Sequence, residues 1–271
     1  MEIGVATYNT GLLDGFIPHA AGRRGAIAER LERLDADLVA LQEVWSAPDR
    51  DVLTDASPLR HGTAADDHLD PEPGYALDGS TGLLLRSRWP LLTTSVVTLP
   101  SYFTRRAVVV AEVDGPVGPF TVLATHLAAD IRNVEHPGAE GWAGEHRAHV
   151  QTVLRLAAEA AGPVILVGDL NCGPERAGRD PEFPENYDLL RSGFESSAYA
   201  DDPEAPCTWC PDNPLVHFER ATVLDHVMES GFHPVSWRRI FDRPVTVEGD
   251  EGATLTTLSD HYGVLVRLRS D

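Results

Sequence analysis

The run VILVGDLNCGP, Val164 to Pro174, ends an almost uninterrupted apolar stretch in a carboxylate and an amide. In an extended chain residues two apart point to the same side, so Asp169 and Asn171 look into one space while Leu170 turns back to the core. A carboxylate that can orient or deprotonate water, beside an amide that can donate hydrogen bonds, is a pair suited to hydrolysis. Taken alone it also reads as a strand end and a turn, because Asn, Gly and Pro are turn formers. The placement recurs, however. Asn9, Glu43, His126, Asp225, Asp260 and His261 each lie at or beside the tip of an apolar run. Strand tips along one edge can converge on a single cleft, and a joint occurrence is harder to assign to turns than any one member.

The elements that must position these tips are legible along the chain. Ile3 to Asn9 alternates weakly and reads as a strand, and Arg24 to Leu34 sets Ile27, Leu31 and Leu34 on one stripe, which predicts an amphipathic helix. DLVALQEVW reads as a strand ending in Gln42 and Glu43, and the polar, proline-rich stretch from Ser46 to Gly74 as loops with a short helix. GLLLRS, LLTTSVVTL, RAVVVAEV and FTVLATHL read as consecutive strands with turns such as DGPVGP between them. Glu145 to Ala161 predicts a helix burying Val150, Val153, Leu154 and Ala157. VILVGDLN follows as a strand and ENYDLLRSGF as a short helix; after a long loop come VLDHVM, Pro234 to Phe241 and LSDHYGVLVRL as strands. Many strands with few helices between them predict two packed sheets flanked by helices.

Bulk properties bound the function. The 271 residues show no linker, repeat or low-complexity tract, so one domain spanning 1–271 is expected. At 42% hydrophobic and 24% charged the composition is that of a globular protein, and no apolar run has the length of a membrane span. The opening MEIGVATYNTG lacks the basic region and long apolar stretch of a secretion signal, and a cytoplasmic location is the expectation. All 22 basic residues are arginine, which removes lysine nucleophiles and Schiff-base chemistry. The formal net charge of −20 disfavours duplex nucleic acid as a partner, because such binding draws its affinity from neutralising phosphates.

The pieces TYN (Thr7 to Asn9), LQEVW (Leu41 to Trp45), SRWP (Ser87 to Pro90), ATHL (Ala124 to Leu127), GDLN (Gly168 to Asn171), LDHV (Leu224 to Val227) and LSDHYGV (Leu258 to Val264) occur in one order across the chain. This ordered set resembles the endonuclease/exonuclease/phosphatase superfamily, the fold of pancreatic deoxyribonuclease, inositol polyphosphate 5-phosphatases and neutral sphingomyelinases. The resemblance covers the whole chain. It implies an α/β, four-layer α-β-β-α sandwich of two packed mixed, largely antiparallel sheets flanked by helices, and a Mg²⁺-dependent phosphoesterase, with Mn²⁺ or another divalent ion as a substitute.

The chemistry asks for these residue types in its own right. Mg²⁺ takes oxygen ligands and keeps several waters, so Glu43 with Asn9 and the substrate phosphate suffice, and Asp260 could touch the metal or the water. Asp169 would orient or deprotonate the attacking water, and Asn171 would donate to a phosphoryl oxygen. His126 and His261 can hydrogen-bond non-bridging oxygens. The resemblance assigns Asp225 to orient His261, aligns Asp78 loosely as an orienter of His126, and matches Arg106 to an arginine that approaches phosphate.

Other polar residues read as structural. His146 and His149, three apart, have metal-ligand spacing but no evident third ligand, and read as a solvated helix face. His226 should point away from Asp225 and serve structure. With three cysteines a disulfide framework is not expected; the lone CxxC at Cys207 and Cys210 has the form of a redox pair or half a zinc site, and Cys172 that of a small buried filler.

Among phosphate esters, ATHLAAD stands where abasic-site endonucleases carry Tyr-x-Pro-Asn, and the SWCDR-like motif of inositol 5-phosphatases is missing. CTWCPDNPL, LDHV and LSDHYGV look similar to segments of sphingomyelinase-like members, while LQEV and a Thr-Trp segment are shared with tyrosyl-DNA phosphodiesterases. The expected substrate is a lipid head group or small phosphodiester; Trp45 and Trp209 are candidates for an apolar or cation-binding wall, with core burial expected for at least one of them. A nuclease or phosphomonoesterase of the same superfamily, and a catalytically silent binding module, are the alternatives.

Overall fold

The computed structural model describes residues 1–270 apart from 73, 132, 177–179, 217–220 and 250–251. In chain order the elements are β1 (Glu2–Leu12), α1 (Ala20–Glu32), β2 (Leu38–Val44), α2 (Ala47–Ala56), β3 (His61–Ala64), β4 (Leu84–Ser87), β5 (Leu91–Leu99), β6 (Arg106–Gly115), β7 (Gly118–His126), α3 (Gly141–Glu159), β8 (Val164–Asp169), α4 (Pro184–Arg191), β9 (Ser196–Ser197), β10 (Asp225–Ser230), β11 (His233–Ile240), β12 (Val245–Gly249), β13 (Gly252–Thr256) and β14 (Gly263–Arg269). Two mixed six-stranded sheets form, in the orders β11-β14-β1-β2-β4-β3 and β5-β6-β7-β8-β10-β9. Each holds one parallel pair, β1 with β2 and β7 with β8, and antiparallel neighbours elsewhere. A parallel pair cannot be joined by a hairpin, and α1 and α3 supply the two crossovers.

Alternation along the strands builds the layers. On β1, Ile3 and Val5 point between the sheets and pack with Val108, Leu123 and Val167, while Ala6 and Tyr8 point the other way to Ile27 and Leu31 of α1. On β2, Leu38 and Ala40 share the inner core, and Val39 and Leu41 face α1 and Leu53 of α2. Val150 and Val153 of α3 seat on the second sheet. The four-layer sandwich expected from the motif set is thus the observed architecture. Strand β8 is buried along its whole length. Gly168 is required there by close approach: a Cβ would overlap the Thr125 carbonyl oxygen of β7.

The sequence reading differs from the structure in particular places. The α1 helix starts at Ala20 and α3 at Gly141, each several residues earlier than the apolar periodicity marks. The β12-β13 hairpin was not anticipated; its sequence, VTVEG with GATLT, carries few large apolar residues to signal a strand. Leu154 and Ala157 are only partly buried, whereas His146 and His149 are fully buried, so the helix face read as solvated is in fact packed.

Candidate active site

Sheet register brings the polar strand tips side by side. His126, the last residue of β7, lies opposite Asp169 at the end of β8, and Asp169 lies opposite Asp225 at the start of β10. Asn9 reaches this row from the first sheet, its Nδ2 donating to Asp169 Oδ2 at 2.9 Å and its Oδ1 accepting from the Gly11 N–H at 3.1 Å. His261, on the segment before β14, is bridged to Trp209 through the backbone and has that indole edge-on at 4.9 Å. Its Nδ1 is 2.9 Å from Asp225 Oδ2, and its Nε2 is 3.7 Å from Asp169 Oδ2. The same Asp169 oxygen lies 3.4 Å from His126 Nε2. One carboxylate oxygen therefore collects an amide and two imidazoles, with a second carboxylate behind one of them.

Burial and these charges set the protonation states. Desolvation pushes the Asp169 carboxyl up to about 7, although His261 and the hydrogen bonds from Asn9 and the Asn171 N–H pull it back. For His261 burial opposes charge, but the carboxylates of Asp225 and Asp169 outweigh it and hold the imidazole well above its ordinary range. His126 moves the other way: burial, then the nearby positive charges of Arg106 and His261, keep it neutral. A carboxyl near neutrality beside a cationic imidazole has the form of an acid-base pair.

Above the row opens a cavity of about 340 Å³ lined by, among others, Glu43, Arg106, His126, Asp169, Asn171 and Asp260. Glu43 reaches it through a backbone break. Alternation would send Glu43 to the helix-covered face with Val39 and Leu41, but its φ of 59° is left-handed, and Val44 takes the helix side instead. Such a conformation costs a non-glycine residue roughly 1–2 kcal/mol, strain of the kind found where a side chain must be aimed. Arg106 is 5% exposed, and among the described residues its Nε and Nη1 have no hydrogen-bond partner. Burial pulls its guanidinium down, while Glu43 and Asp169 favour the charge. A buried guanidinium with spare donors, on a residue that lines the cavity, suits an anion.

The donor sets can be tested against a metal. Among the described residues, Asp169, Asp225 and His261 have ligand atoms within 4.8 Å of one another, as do Cys207, Cys210 and Asp212. The first set is already engaged by its internal contacts and by Asn9, and Cys207 and Cys210 are joined in a disulfide. Glu43 and Asp260 form a different pair. Burial and the Asp260 carboxylate together raise the Glu43 carboxyl, against the pull of His261 and Arg106. Two carboxylates facing one cavity, with a lone pair left on Asn9 Oδ1, are the oxygen-only set that a hard divalent cation fits.

A family model described as endonuclease/exonuclease/phosphatase family matches residues 6–261. The chain belongs to that family. Its members are metal-dependent phosphoesterases. Comparison with curated protein sequences gives no match. Among solved structures the chain is similar to sphingomyelinase C from Streptomyces griseocarneus, with 100% of both chains covered, 20% identity and a TM-score of 0.73. A mutant of beta toxin from Staphylococcus aureus with bound magnesium ions covers 100% of both chains at 13% identity and TM-score 0.74. TDP2 of D. rerio complexed with single strand DNA product covers 99% of both at 18% identity and TM-score 0.71. At these identities the likeness establishes the fold.

Several positions in this family member depart from the sequence reading. Asp78 is exposed on a tight turn and does not orient His126, whose Nδ1 has no hydrogen-bond partner among the described residues. Asn171 has a left-handed φ of 47°, and its Nδ2 donates to the Leu127 carbonyl at 3.0 Å, leaving one amide hydrogen for a ligand. Of the two candidate tryptophans only Trp209 lines the cavity; Trp45 packs on Gly82, where a Cβ would meet its ring at 2.9 Å. Cys207 and Cys210 form a disulfide, against the expectation from the cysteine count, while Cys172 is the buried filler foreseen. His226 turns from the cavity and donates to the Cys172 carbonyl at 2.7 Å.

Two supporting residues escaped the sequence reading. Arg23 is fully buried and donates to the carbonyls of Thr10, Gly11, Pro18 and Leu258, tying the end of β1 beyond Asn9 to the segment before Asp260. Nothing in GRRGAIAER separates it from a surface arginine. Thr208 Oγ1 accepts the N–H groups of Leu224 and Asp225 at 2.9 and 3.2 Å, which fixes the start of β10.

Proposed function

We propose that this family member is a Mg²⁺-dependent phosphodiesterase of sphingomyelinase-like type, hydrolysing a lipid or small phosphodiester. The carrying observation is the Asp225–His261–Asp169 chain, 2.9 and 3.7 Å between its members, whose Asp169 end lines a cavity together with Arg106, Glu43 and Asp260. Asp169 accepts the proton of the attacking water, a role suited to a carboxyl pushed up to about 7. The water oxygen forms the new bond to phosphorus as the bond to the leaving oxygen breaks. The His261 imidazolium, held by Asp225, and the Arg106 guanidinium stabilise the charge gathering on the non-bridging oxygens. Neutral His126 and the remaining Asn171 amide hydrogen orient the phosphoryl group. Glu43 and Asp260, with Asn9, would hold the cation, which when bound polarises a phosphoryl oxygen and neutralises transition-state charge.

The remaining lining of the cavity supports the substrate class. Trp209, Leu13, Ile17 and Leu224 give it an apolar and aromatic wall, and Asp130 and Glu182 add negative charge. That combination suits a cationic or zwitterionic head group. The net charge of −20 acts in the same direction, repelling a polyanionic duplex at long range while leaving a phosphodiester offset by choline little affected. The test is a side-by-side assay with Mg²⁺ of sphingomyelin in detergent, a small nucleotide diester, a phosphomonoester and plasmid DNA. Faster cleavage of the choline diester is expected. Preference for DNA overturns the charge argument, preference for the monoester moves the chain to the phosphatase branch, and no turnover on any of them with Mg²⁺ or Mn²⁺ makes it a silent binding module.

A further inference from the structure

His146 and His149 take no part in the chemistry proposed above, yet both are fully buried on α3 with both ring nitrogens engaged. His146 Nε2 lies 2.8 Å from the Leu170 carbonyl. A carbonyl can only accept, so Nε2 carries the proton and Nδ1 is the acceptor. Its partner agrees: Asn186 Nδ2 is 3.2 Å from Nδ1, and the orientation of that amide is fixed by Arg147 Nε donating to Asn186 Oδ1 at 3.2 Å. His149 repeats the pattern. Its Nε2 donates to the Pro100 carbonyl at 2.5 Å, and its Nδ1 accepts the Ala128 N–H at 3.2 Å. Burial holds both rings neutral, pulling each down to about 4.

The three backbone groups they grip are not scattered. Leu170 sits between Asp169 and Asn171, Ala128 lies two residues past His126, and Pro100 opens the loop that leads to Arg106. The strand-tip segments are also laced to each other: the Leu127 N–H donates to the Asp169 carbonyl, Asn171 Nδ2 donates to the Leu127 carbonyl, and the Leu170 N–H donates to the Leu224 carbonyl. On its helix side this lattice is anchored at Leu170, Ala128 and Pro100 by two rigid rings one helical turn apart.

We infer that His146 and His149 are positioning residues for phosphodiester hydrolysis, a pair of neutral Nε2–H imidazoles that hold the segments bearing Asp169, Asn171, His126 and Arg106 at fixed separation. The inference rests on the proposed function, and it makes a different prediction from ordinary packing. A buried polar group that serves only stability changes the fraction folded. A positioning group changes kcat in the molecules that remain folded, because misplacement by ~1 Å far from the chemistry can cost about 10²-fold.

The test compares His146→Leu and His149→Leu, which fill the space without hydrogen bonds, with His146→Gln and His149→Gln, which keep a donor and an acceptor. Turnover of bis-p-nitrophenyl phosphate with Mg²⁺ is measured at a temperature where circular dichroism shows each variant folded. The Leu variants are expected to lose about 10- to 100-fold in kcat with KM within about 2-fold, and the Gln variants to recover most of it. Wild-type kcat in folded Leu variants, or Gln variants no better than folded Leu variants, overturns the inference. Should the Leu variants not fold, the Gln variants and the ¹⁵N spectrum of the wild-type rings decide: both must be Nε2–H tautomers, and an Nδ1–H form overturns it. Should the wild type hydrolyse no phosphate ester, the proposed function fails by itself. Positioning is then read from backbone amide shifts at Ala128, Leu170 and Asn171, expected in the folded Leu variants and smaller in the Gln variants, and equal shifts in both or none in the Leu variants overturn it.

Discussion

Acidification should destabilise the protein through the two imidazoles of α3, and the size of the effect follows from their surroundings. Burial pulls His146 and His149 down to about 4 in the native state, against an ordinary value of 6.5. His149 and the Leu170 carbonyl act on His146, and the Pro100 carbonyl, Glu145 and Arg106 act on His149. Because the unfolded chain binds these protons first, stability is lost as pH falls through 6.5 and the loss levels off below about 4. Between pH 7 and pH 5 each imidazole contributes a loss of roughly 2 kcal/mol. Asp169, pushed up to about 7, acts in the opposite sense, since the native state binds its proton more tightly and gains stability as pH falls from 7. The informative quantity is therefore a difference between proteins. Urea unfolding in chelator at pH 7, 6 and 5 is compared for the wild type, His146→Gln and His149→Gln. Each variant should show a pH 7-to-5 change about 2 kcal/mol more favourable than the wild type, equivalent to a melting shift of roughly 4–8 °C. Parallel pH curves for all three proteins would refute the burial argument.

Chelation should abolish turnover and Mg²⁺ restore it, with Glu43→Gln raising the Mg²⁺ concentration needed; full activity in chelator contradicts a metal-dependent reaction. Asp169→Ala and His261→Ala should each lower kcat by about 10²-fold or more, and near-wild-type rates would show the site misassigned. Asp225→Asn should impair turnover by disturbing the orientation and charge of His261, with a far-ultraviolet spectrum like that of the wild type; an unchanged kcat removes the Asp225–His261 pair from the mechanism. Arg106→Ala should weaken turnover of every phosphate ester tested, because its guanidinium is the buried positive charge among the residues that line the cavity, and an unchanged kcat/KM returns it to a structural role.

The polar strand tips were legible because an apolar run ending in Asp-Leu-Asn or Gln-Glu violates the local logic of a buried strand, and the violation repeats in a fixed order. The fold followed from that order and from strand and helix periodicity. The hairpin of β12 and β13 was not legible, since its strands lack the apolar alternation that announces burial. Nor were Arg23, His146 and His149, because a polar residue on an amphipathic helix reads as solvated unless the receiving backbone groups are known.

By itself the sequence determined which residues stand at strand ends, that they are carboxylates, amides and imidazoles, and that the chain has the motif order of its family. Tertiary structure alone decided how they face one another. Register set His126, Asp169 and Asp225 in a row, packing of the two sheets brought Asn9 and His261 to one Asp169 oxygen, and a left-handed residue turned Glu43 from the helix side into the cavity. Those outcomes depend on contacts between residues as far apart as Asn9 and Asp169, and on desolvation by atoms remote in the chain. Neither is written in local pattern, because periodicity reports which side of an element is buried but not which groups await it there.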